Sequence, residues 1–441
     1  MNIFKYCLLL VILSFNQATQ AEDLLTIYHQ ALQADPQLKS AEIKVNIGSD
    51  QKGQALGQML PQINASGNWS NNEQSVNGKI QTVVTNYSGT SYYVSLNQSL
   101  FEFAKFMEWR RTSKIEDQYA AEAIEAHNQL MFNVVDRYFS ALEAEDQLNF
   151  AQIEKQAAQK LLEQIQKQFA KQLLKITDLY AGEARLDQLI ANVAQAESKH
   201  ITAQESLREL TGIFPKALKI LRDTVEYPEV QGDLQQWIEV AQSQNPAIKS
   251  KQIAINAAQN NVDVQKSKFL PVVDLQLSYY DTNTGYQSSN LGTDVRTSVA
   301  AINVNVPLFS GGITTYQVSE AQNRLQITKN DNDAAIRAIV KETSDAYLST
   351  NADVRQIQAT QKALKSTSKS REAMERGYQL GVVTISDVIK SQQDESSVKK
   401  DLAQAKYNYI KNRVRFMHAI GSMKEENLQE INGWLEVRIQ E

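Results

Sequence analysis

The stretch that decides the fold occurs twice in this 441-residue chain, as DPQLKS at residues 35–40 and as NPAIKS at residues 245–250. The two copies are 210 residues apart. A second pair, Leu-Phe at residues 100–101 and again at 308–309, is separated by 208 residues. Matching segments at a nearly constant spacing are the signature of an internal repeat.

The same spacing continues toward the C-terminus. Ile-Thr-Asp at residues 176–178 matches Ile-Ser-Asp at 385–387, 209 residues later, and Gly212 matches Gly421 at that distance. A spacing that drifts by only two residues over most of the chain indicates a tandem duplication of about 200 residues.

Each repeat predicts the same order of elements. A short helix leads to a second helix of about 22 residues that starts at a proline, the position where a helix tolerates proline best. A Leu-Pro pair then ends the helix, and a β-hairpin, a very long helix, a tight turn and a returning helix follow. The first repeat is predicted at 22–212, with a hairpin at about 62–99, a long helix at about 102–171 and a returning helix at about 177–211. A linker at 213–232 leads to the second repeat at 233–421, with a hairpin at about 272–306, a long helix at about 313–378 and a returning helix at about 385–420. A tail follows at 422–441.

The hairpins are predicted from an alternation of period two, which places one apolar and one polar face on each strand. A polar turn at residues 281–292 separates the strands of the second hairpin. The alternating apolar positions are Ile63, Ala65 and Trp69, then Tyr92, Val94 and Leu96, then Leu275, Leu277 and Tyr279, and finally Ile302, Val304 and Val306.

The long helices are predicted from the absence of breakers, since residues 102–171 contain neither proline nor glycine. Seventy helical residues would extend about 100 Å, which is too long for a globular core. Such helices must pack side by side in a coiled coil or an α-barrel. Apolar residues spaced mostly three or four positions apart form a seam along the first long helix: Ile124, Met131, Val134, Val135, Tyr138 and Leu142.

Composition excludes several classes of protein. The longest apolar run, residues 3–15, is shorter than the roughly 20 residues of a membrane-spanning helix, and the mean hydropathy is −0.41. Lys5 as a short positive n-region, residues 8–15 as the apolar h-region and Thr19-Gln20-Ala21 as the cleavage site predict a signal peptide at residues 1–21, which contains the only cysteine, Cys7. The net charge of −5 lacks the excess of positive charge that is typical of proteins that bind nucleic acid.

No enzyme, cofactor or metal site is predicted. The four histidines, His29, His127, His200 and His418, are scattered without the spacing of metal ligands. Nucleophile-elbow, phosphate-loop and dinucleotide-binding motifs are missing from the sequence. The acidic pairs at 394–395 and 425–426 are interpreted as solvated helix surface.

Four strands with an apolar face cannot close a transmembrane β-barrel, because the smallest barrels have eight. Two separate hairpins would also expose four unpaired edges. Because the chain has a predicted signal peptide and two hairpins with an apolar face, we predict a transmembrane β-barrel to which several chains contribute strands.

The repeat resembles the TolC family of outer membrane efflux and secretion channels. Two further motifs carry this resemblance, namely VPLFSGG at 306–312 and the turn G-Y-x-x-G-x-x-x-I-x-D-V at 377–388. It implies a mostly α protein with a small β part, a tandem-duplicated protomer of long antiparallel coiled-coil helices that form an α-barrel. Its two hairpins would contribute four strands to a trimeric, 12-stranded transmembrane β-barrel.

The resemblance also implies the biology. The expected protein is a homotrimer in the outer membrane of a Gram-negative bacterium, in contact with outer membrane lipid and with a long periplasmic tunnel. It would be a passive exit duct opened by a periplasmic adaptor protein and an inner-membrane transporter of the ABC, RND or MFS type. The transported cargo, whether a drug, a metal ion or a polypeptide, is left open.

Gate residues are carried over from the family by position. In the family, a tyrosine and an arginine of the second turn reach an aspartate of the first turn. The resemblance implies that this tyrosine is Tyr378 and this aspartate Asp178, which Thr177 precedes. The arginine position is occupied by Val383, which cannot form an ion pair. As hypotheses, Lys175 or Lys390 replaces that arginine. The alternative interpretations give Asp178 and Asp387 a role in starting the returning helices, and give Tyr378 a role in packing on the helix seam.

A constriction ring is implied at Asp387 and Lys390. A member of the family has two inward aspartates three residues apart at this ring, whereas here the second position is Lys390, which would partly neutralise Asp387 on the same helix face. Three chains would give three acids and three lysines. Weak cation selectivity and weak block by trivalent cations are therefore predicted, and solvated surface is the alternative interpretation for Lys390.

A second class of protein fits the helices equally well. A soluble periplasmic coiled-coil scaffold or adaptor would have the same long helices. It would have no use for hairpins with an apolar face and aromatic residues such as Trp69, Tyr92 and Tyr279.

Overall fold

A computed structural model describes residues 21–284 and 293–438. The predicted signal peptide, apart from Ala21, lies outside the described residues. The chain divides into two compact units. Within the described residues, the helical unit comprises residues 21–40, 124–246 and 336–438, and the sheet unit comprises residues 41–123, 247–284 and 293–335.

Helices form most of the described chain, as predicted. Pro36 and Pro246 each occupy the first position of a helix, where the missing N–H is not needed. Among the described helices none is both long enough and apolar enough to span a bilayer. The helices are α1 Leu24–Ala34, α2 Pro36–Gly57, α3 Phe103–Ala170, α4 Ile176–Thr211, α5 Leu234–Gln244, α6 Pro246–Ser267, α7 Ile313–Gln379, α8 Ile385–Ala419 and α9 Glu425–Asn432.

The strands form two antiparallel sheets. They are β1 Gln62–Asn77, β2 Thr82–Phe101, β3 Ile220–Leu221, β4 Val272–Thr284, β5 Thr293–Asn305 and β6 Leu435–Glu436. The sheet unit holds a four-stranded sheet of order β1-β2-β4-β5. The two hairpins are therefore not isolated: β2 pairs with β4, and in the described part of this sheet β1 and β5 are the strands with an unpaired edge.

The turn predicted at residues 281–292 was too long. Strand β4 continues to Thr284 and β5 begins at Thr293, because both strands stay paired as far as Thr284 opposite Thr293. Residues 285–292 lie outside the described part of the chain. The predicted alternation is confirmed elsewhere, since Ile63 lies opposite Leu96 and Leu275 opposite Ile302.

The core of the helical unit lies where α1, α3, α4, α8 and α9 pack together. Most of the apolar seam predicted on α3 is buried there, including Val134, Val135 and Tyr138. Ile124 is 56% exposed, so the prediction was wrong at this residue. On α3 the buried members of this core cluster begin only at Leu130, and Ile124 is not among the residues that pack against the cluster.

The predicted linker and tail contact each other. Strand β3 in the linker pairs with β6 in the tail, with Leu221 opposite Leu435. The Arg438 guanidinium then reaches Glu145 at 2.6 Å and Asp146 at 3.1 Å on α3. A pair of two-residue strands has no detectable period, so the sequence did not predict this contact.

Candidate gate at the two helical turns

The turn between α7 and α8 ends the longer helix through a left-handed glycine. The amide of Val382 donates to the carbonyl of Gly377 at 2.9 Å, and that of Gly381 donates to Tyr378 at 3.0 Å. Gly381 has φ 75°, a conformation that costs glycine nothing because it lacks a Cβ. This pair of bonds is a Schellman motif, which satisfies carbonyls at the helix end.

The first repeat has the same turn without the glycine. The amide of Leu173 donates to Gln168 at 3.0 Å, and that of Gln172 donates to Phe169 at 2.8 Å. Gln172 thus takes the left-handed position, with φ 61°, and is the only described non-glycine residue with a positive φ. The backbone of the two turns is conserved between repeats although the residue at its key position is not.

The two aspartates predicted at the gate start the returning helices. A carboxylate oxygen of Asp387 accepts from the amide of Thr384 at 3.0 Å and from its hydroxyl at 2.7 Å. These bonds hold the pKa of Asp387 below its usual value, and the charge of Lys390 adds to the effect. Asp178 accepts from the amide of Lys175 at 3.3 Å. Both carboxylates therefore have the helix-start role that was the alternative interpretation.

Tyr378 joins α7 to α3. Its hydroxyl donates to the side-chain oxygen of Gln168 at 2.8 Å, and its ring packs beside a cluster that includes Ile165 and Ile385. Burial raises the pKa of Tyr378, and the negative charge of Asp178 raises it further. Within the described chain the hydroxyl bonds to Gln168, and no bond from Tyr378 to Asp178 is formed. Sequence reasoning missed Gln168, because an amide on a helix has no distinguishing pattern.

The remaining predicted gate residues are accessible at the turns. Thr177 is exposed on the first turn of α4, and Val383 packs its methyl groups toward Gly377. A Cβ on Gly377 would lie 3.2 Å from Val383, so the glycine leaves room for this apolar contact. Inside the described chain Asp178 forms no ion pair with Lys175 or Lys390.

Lys390 and Asp387 lie on α8, three residues apart and both exposed. Residues at this spacing share a helix face. The lysine lowers the pKa of the aspartate, as a nearby positive charge does. The electrostatic coupling assumed for the constriction ring is therefore present within one chain.

A buried ionic network lies on α7 and α8 beyond the turns. Glu395 is only 7% exposed and pairs with Arg371 and with Lys399, the latter at 3.1 Å. Burial acts to raise the pKa of Glu395, but the Ser368 hydroxyl and the two positive charges outweigh it and lower the pKa. The interpretation of residues 394–395 as solvated surface was wrong for Glu395, because its side chain turns into the space between the helices.

The same region ties α3 and α4 to α8. Glu154 on α3 forms an ion pair with Lys400 at 2.7 Å and accepts a hydrogen bond from Ser396. Arg185 on α4 approaches Glu154 at 3.8 Å. Glu154, Arg185 and Ser396 border a cavity of about 240 Å³. In the described residues no group of acidic, histidine or cysteine side chains is arranged to hold a metal ion.

Comparison with known proteins identifies a family that contains this repeat. The model of the family described as "Outer membrane efflux protein" matches residues 27–213 and again residues 237–422. The two matched segments coincide with the two repeats. Outer membrane protein TolC of Vibrio cholerae is 28% identical over 432 residues, covering 96% of both chains. The alkaline protease secretion protein AprF of Pseudomonas aeruginosa is 25% identical, covering 92% of this chain and 86% of its own.

Solved structures show the same fold. The CmeC outer membrane channel of Campylobacter jejuni has a TM-score of 0.80 at 18% identity, covering 95% of this chain and 91% of CmeC. The outer membrane protein VceC of Vibrio cholerae has a TM-score of 0.75 at 16% identity, covering 90% and 96%. The likeness extends over nearly the whole described chain.

Proposed function

Because the chain belongs to the outer membrane efflux protein family, it is an exit duct in the outer membrane of a Gram-negative bacterium, and we propose that it works as a homotrimer opened by partner proteins. The duct serves an efflux or a secretion system. It would be passive, with no catalytic step and no cofactor of its own.

The observation that carries this proposal is the open four-stranded sheet. One face of it exposes apolar side chains such as Ile63, Trp69 and Ile302, and its two outer edges are unpaired in the described residues. An exposed apolar sheet with free edges is unstable in water and suits lipid once the edges are closed. Three chains would supply twelve strands to one barrel.

The turns suit docking by a second protein. Leu173, Leu380 and Val382 are large apolar side chains on the two turns, and all are strongly exposed. Exposed apolar groups close together indicate an interaction surface. We assign this surface to a periplasmic adaptor, which would couple the duct to an inner-membrane transporter of the ABC, RND or MFS type. The transporter would select the cargo.

Opening would require α7 and α8 to move relative to α3. Within one chain, the bond from Tyr378 to Gln168 and the ion pair of Lys400 with Glu154 oppose this movement. Thr177 and Asp178 remain the proposed gate positions toward a neighbouring chain, with Lys175 or Lys390 in place of the missing arginine. Asp387 and Lys390 remain the proposed constriction.

The first experiment measures the mass of the detergent-extracted protein by size-exclusion chromatography with light scattering. Three times the chain mass, from an outer-membrane fraction, supports the duct. A monomer that stays soluble without detergent would contradict the duct and would favour the alternative, a soluble periplasmic coiled-coil scaffold.

Conductance in a planar bilayer tests the gate. We expect Tyr378→Phe to raise the open probability, because it removes only the hydroxyl that binds Gln168. Tyr180→Phe is the matched control, since Tyr180 is exposed on α4. An open probability of Tyr378→Phe equal to that of the unmodified channel would mean that Tyr378 has no part in the gate.

A further inference from the structure

The four long strands have a polar face and an outer face, and the polar face would line the lumen of the proposed duct. Side chains that lie opposite each other in register share a face, because side chains alternate along each strand. Asn64, Ser95 and Ser278 lie in one row across the polar face, and Asn97 and Gln276 lie in the next row. Their amide and hydroxyl groups carry no charge.

One residue on the polar face is charged. Asp274 of β4 lies opposite Ser99 of β2 and opposite Asn303 of β5, in the row that follows Gln276. The other charged residues of the four described strands all fall on the outer face by alternation: Glu73, Asp281, Asp294 and Arg296. Asp274 is therefore the one fixed charge on the polar face of these strands.

Asp274 takes part in a hydrogen-bonded cluster at the start of α3. The hydroxyl oxygen of Ser99 lies 3.0 Å from a carboxylate oxygen of Asp274 and 3.1 Å from one of Glu102, and the ammonium of Lys105 donates to it at 2.7 Å. Lys105 also forms an ion pair with Glu102 at 2.8 Å. A hydroxyl has one hydrogen, so Ser99 donates to only one of the two carboxylates at a time. Lys105 thus neutralises Glu102, whereas Asp274 has no ion pair within the described chain.

We propose that Asp274 is a specificity-determining residue of the duct, whose carboxylate faces the lumen and favours the passage of cations over anions. The inference rests on the proposed trimer, in which three copies of Asp274 would form a ring of three negative charges. The field of such a ring extends over the screening length, which is about 10 Å at 0.1 M salt. The proposed ring of Asp387 and Lys390 would have as many lysines as acids, so it would not supply this net charge.

A purely structural role for Asp274 leads to a different expectation. An asparagine accepts a hydrogen bond from the Ser99 hydroxyl through its side-chain oxygen, as the carboxylate does. Asp274→Asn therefore keeps the contact with Ser99 and removes only the charge. A structural role would leave the charge preference of the channel unchanged in this variant.

Reversal potentials of the full-length trimer in a planar bilayer, across a gradient of potassium chloride, test the proposal. We expect Asp274→Asn to lower the cation-to-anion permeability ratio by about twofold in dilute salt, and the difference to shrink in concentrated salt, where screening is stronger. Asp281→Asn is the matched control. It removes one negative charge from the same strand, but Asp281 lies on the outer face and pairs with Arg296 at 3.3 Å, so the ratio should not change.

A rescue and a second variant make the test independent of folding. Gln276→Asp, added to Asp274→Asn, returns a carboxylate to the neighbouring row of the polar face and should restore the ratio. If Asp274→Asn did not assemble, Asn303→Lys would keep Asp274 in place and put a positive charge opposite it, where opposite charges pair across strands. We expect Asn303→Lys to lower the ratio, and Asn303→Gln to leave it unchanged.

An unchanged ratio in Asp274→Asn, or in Asn303→Lys where that variant is needed, would overturn the proposal. In protein that light scattering shows to be trimeric and that conducts ions, this result would leave the duct intact. A monomer without channel activity would overturn both the charge preference and the duct.

Discussion

Gln172 and Gly381 lie 209 residues apart and occupy the same position of the two helical turns, with φ of 61° and 75°. The backbone bonds around them are equivalent, so the first turn keeps a left-handed geometry without the residue that suits it. A non-glycine residue in this conformation costs on the order of 1 kcal/mol. The first turn is therefore the strained member of the pair.

Replacing Gln172→Gly is expected to raise the free energy of unfolding by about 0.5–1 kcal/mol per chain, because it removes the Cβ contact with the backbone. Thermal unfolding of the detergent-solubilised protein and hydrogen exchange of the amides at 171–176 measure it. Gly381→Ala is the matched control and should destabilise the second turn. A Gln172→Gly variant that is less stable than the unmodified protein would show that the glutamine side chain contributes more than the strain costs.

Asp23 makes stability depend on pH. Burial acts to raise its pKa, but the backbone and hydroxyl of Thr26 and the ammonium of Lys219 outweigh it and hold the pKa at about 2, against an ordinary value of 3.8. A carboxylate with a lowered pKa stabilises the fold above its unfolded pKa, and this contribution is lost as the pH falls from about 4 toward 2.

We therefore expect Asp23→Asn to lower stability at pH 7 by about 1 kcal/mol after allowance for solvent screening, with most of this difference lost by pH 2. Denaturation of both proteins across this pH range measures it. Asp233→Asn is the matched control, since Asp233 caps α5 through the amide of Gln235 and has no ion pair in the described residues. A loss that is the same at pH 2 and pH 7 would assign the effect to capping geometry alone.

The sequence could predict elements whose cause is local. Pro36 and Pro246 start helices, Gly212 and Gly421 end them in left-handed conformations, and the repeat spacing orders everything between. Gln168 and Glu395 could not be predicted, because their roles depend on how far α3, α7 and α8 are rotated about their axes. An error of one residue, about 100° of rotation about the helix axis, is enough to move a polar residue from solvent into the space between helices.

Glu395 and its neighbour Asp394 provide a comparison of buried and exposed acids. Glu395→Ala leaves Arg371 and Lys399 without a buried partner, although Arg371 keeps Glu375 at 2.7 Å. Removing one member of a buried ion pair is strongly destabilising, and here we expect a loss of about 2–3 kcal/mol per chain. Asp394→Ala, on the exposed side of the same helix, should change stability by less than about 0.5 kcal/mol.

Thermal unfolding of the two variants side by side measures the difference. Equal losses for both would mean that water fills the cavity beside Glu395 and screens the network. A loss confined to Glu395→Ala would identify the network as the polar core of the α7–α8 pair.

The composition of the proposed constriction ring can be changed with one substitution per chain. Lys390→Asp would convert three acids and three lysines into six acids, since Asp387 lies on the same face of α8. Additional negative charge in a narrow pore attracts cations, so we expect stronger cation selectivity. We also expect the half-blocking concentration of a trivalent cation to fall by on the order of tenfold, which corresponds to about 1.4 kcal/mol of binding free energy. Reversal potentials in a salt gradient and titration of the block measure both.

Lys390→Gln separates the two contributions, because it removes the positive charge and adds no acid. Its block should fall between those of the unmodified channel and Lys390→Asp, and all differences should shrink in concentrated salt, where the screening length is a few ångströms. Asp387→Ala should abolish the block that remains in the unmodified channel. If the unmodified channel were blocked as strongly as Lys390→Asp, Lys390 would not face the lumen, and its effect on the pKa of Asp387 would be a property of the helix surface alone.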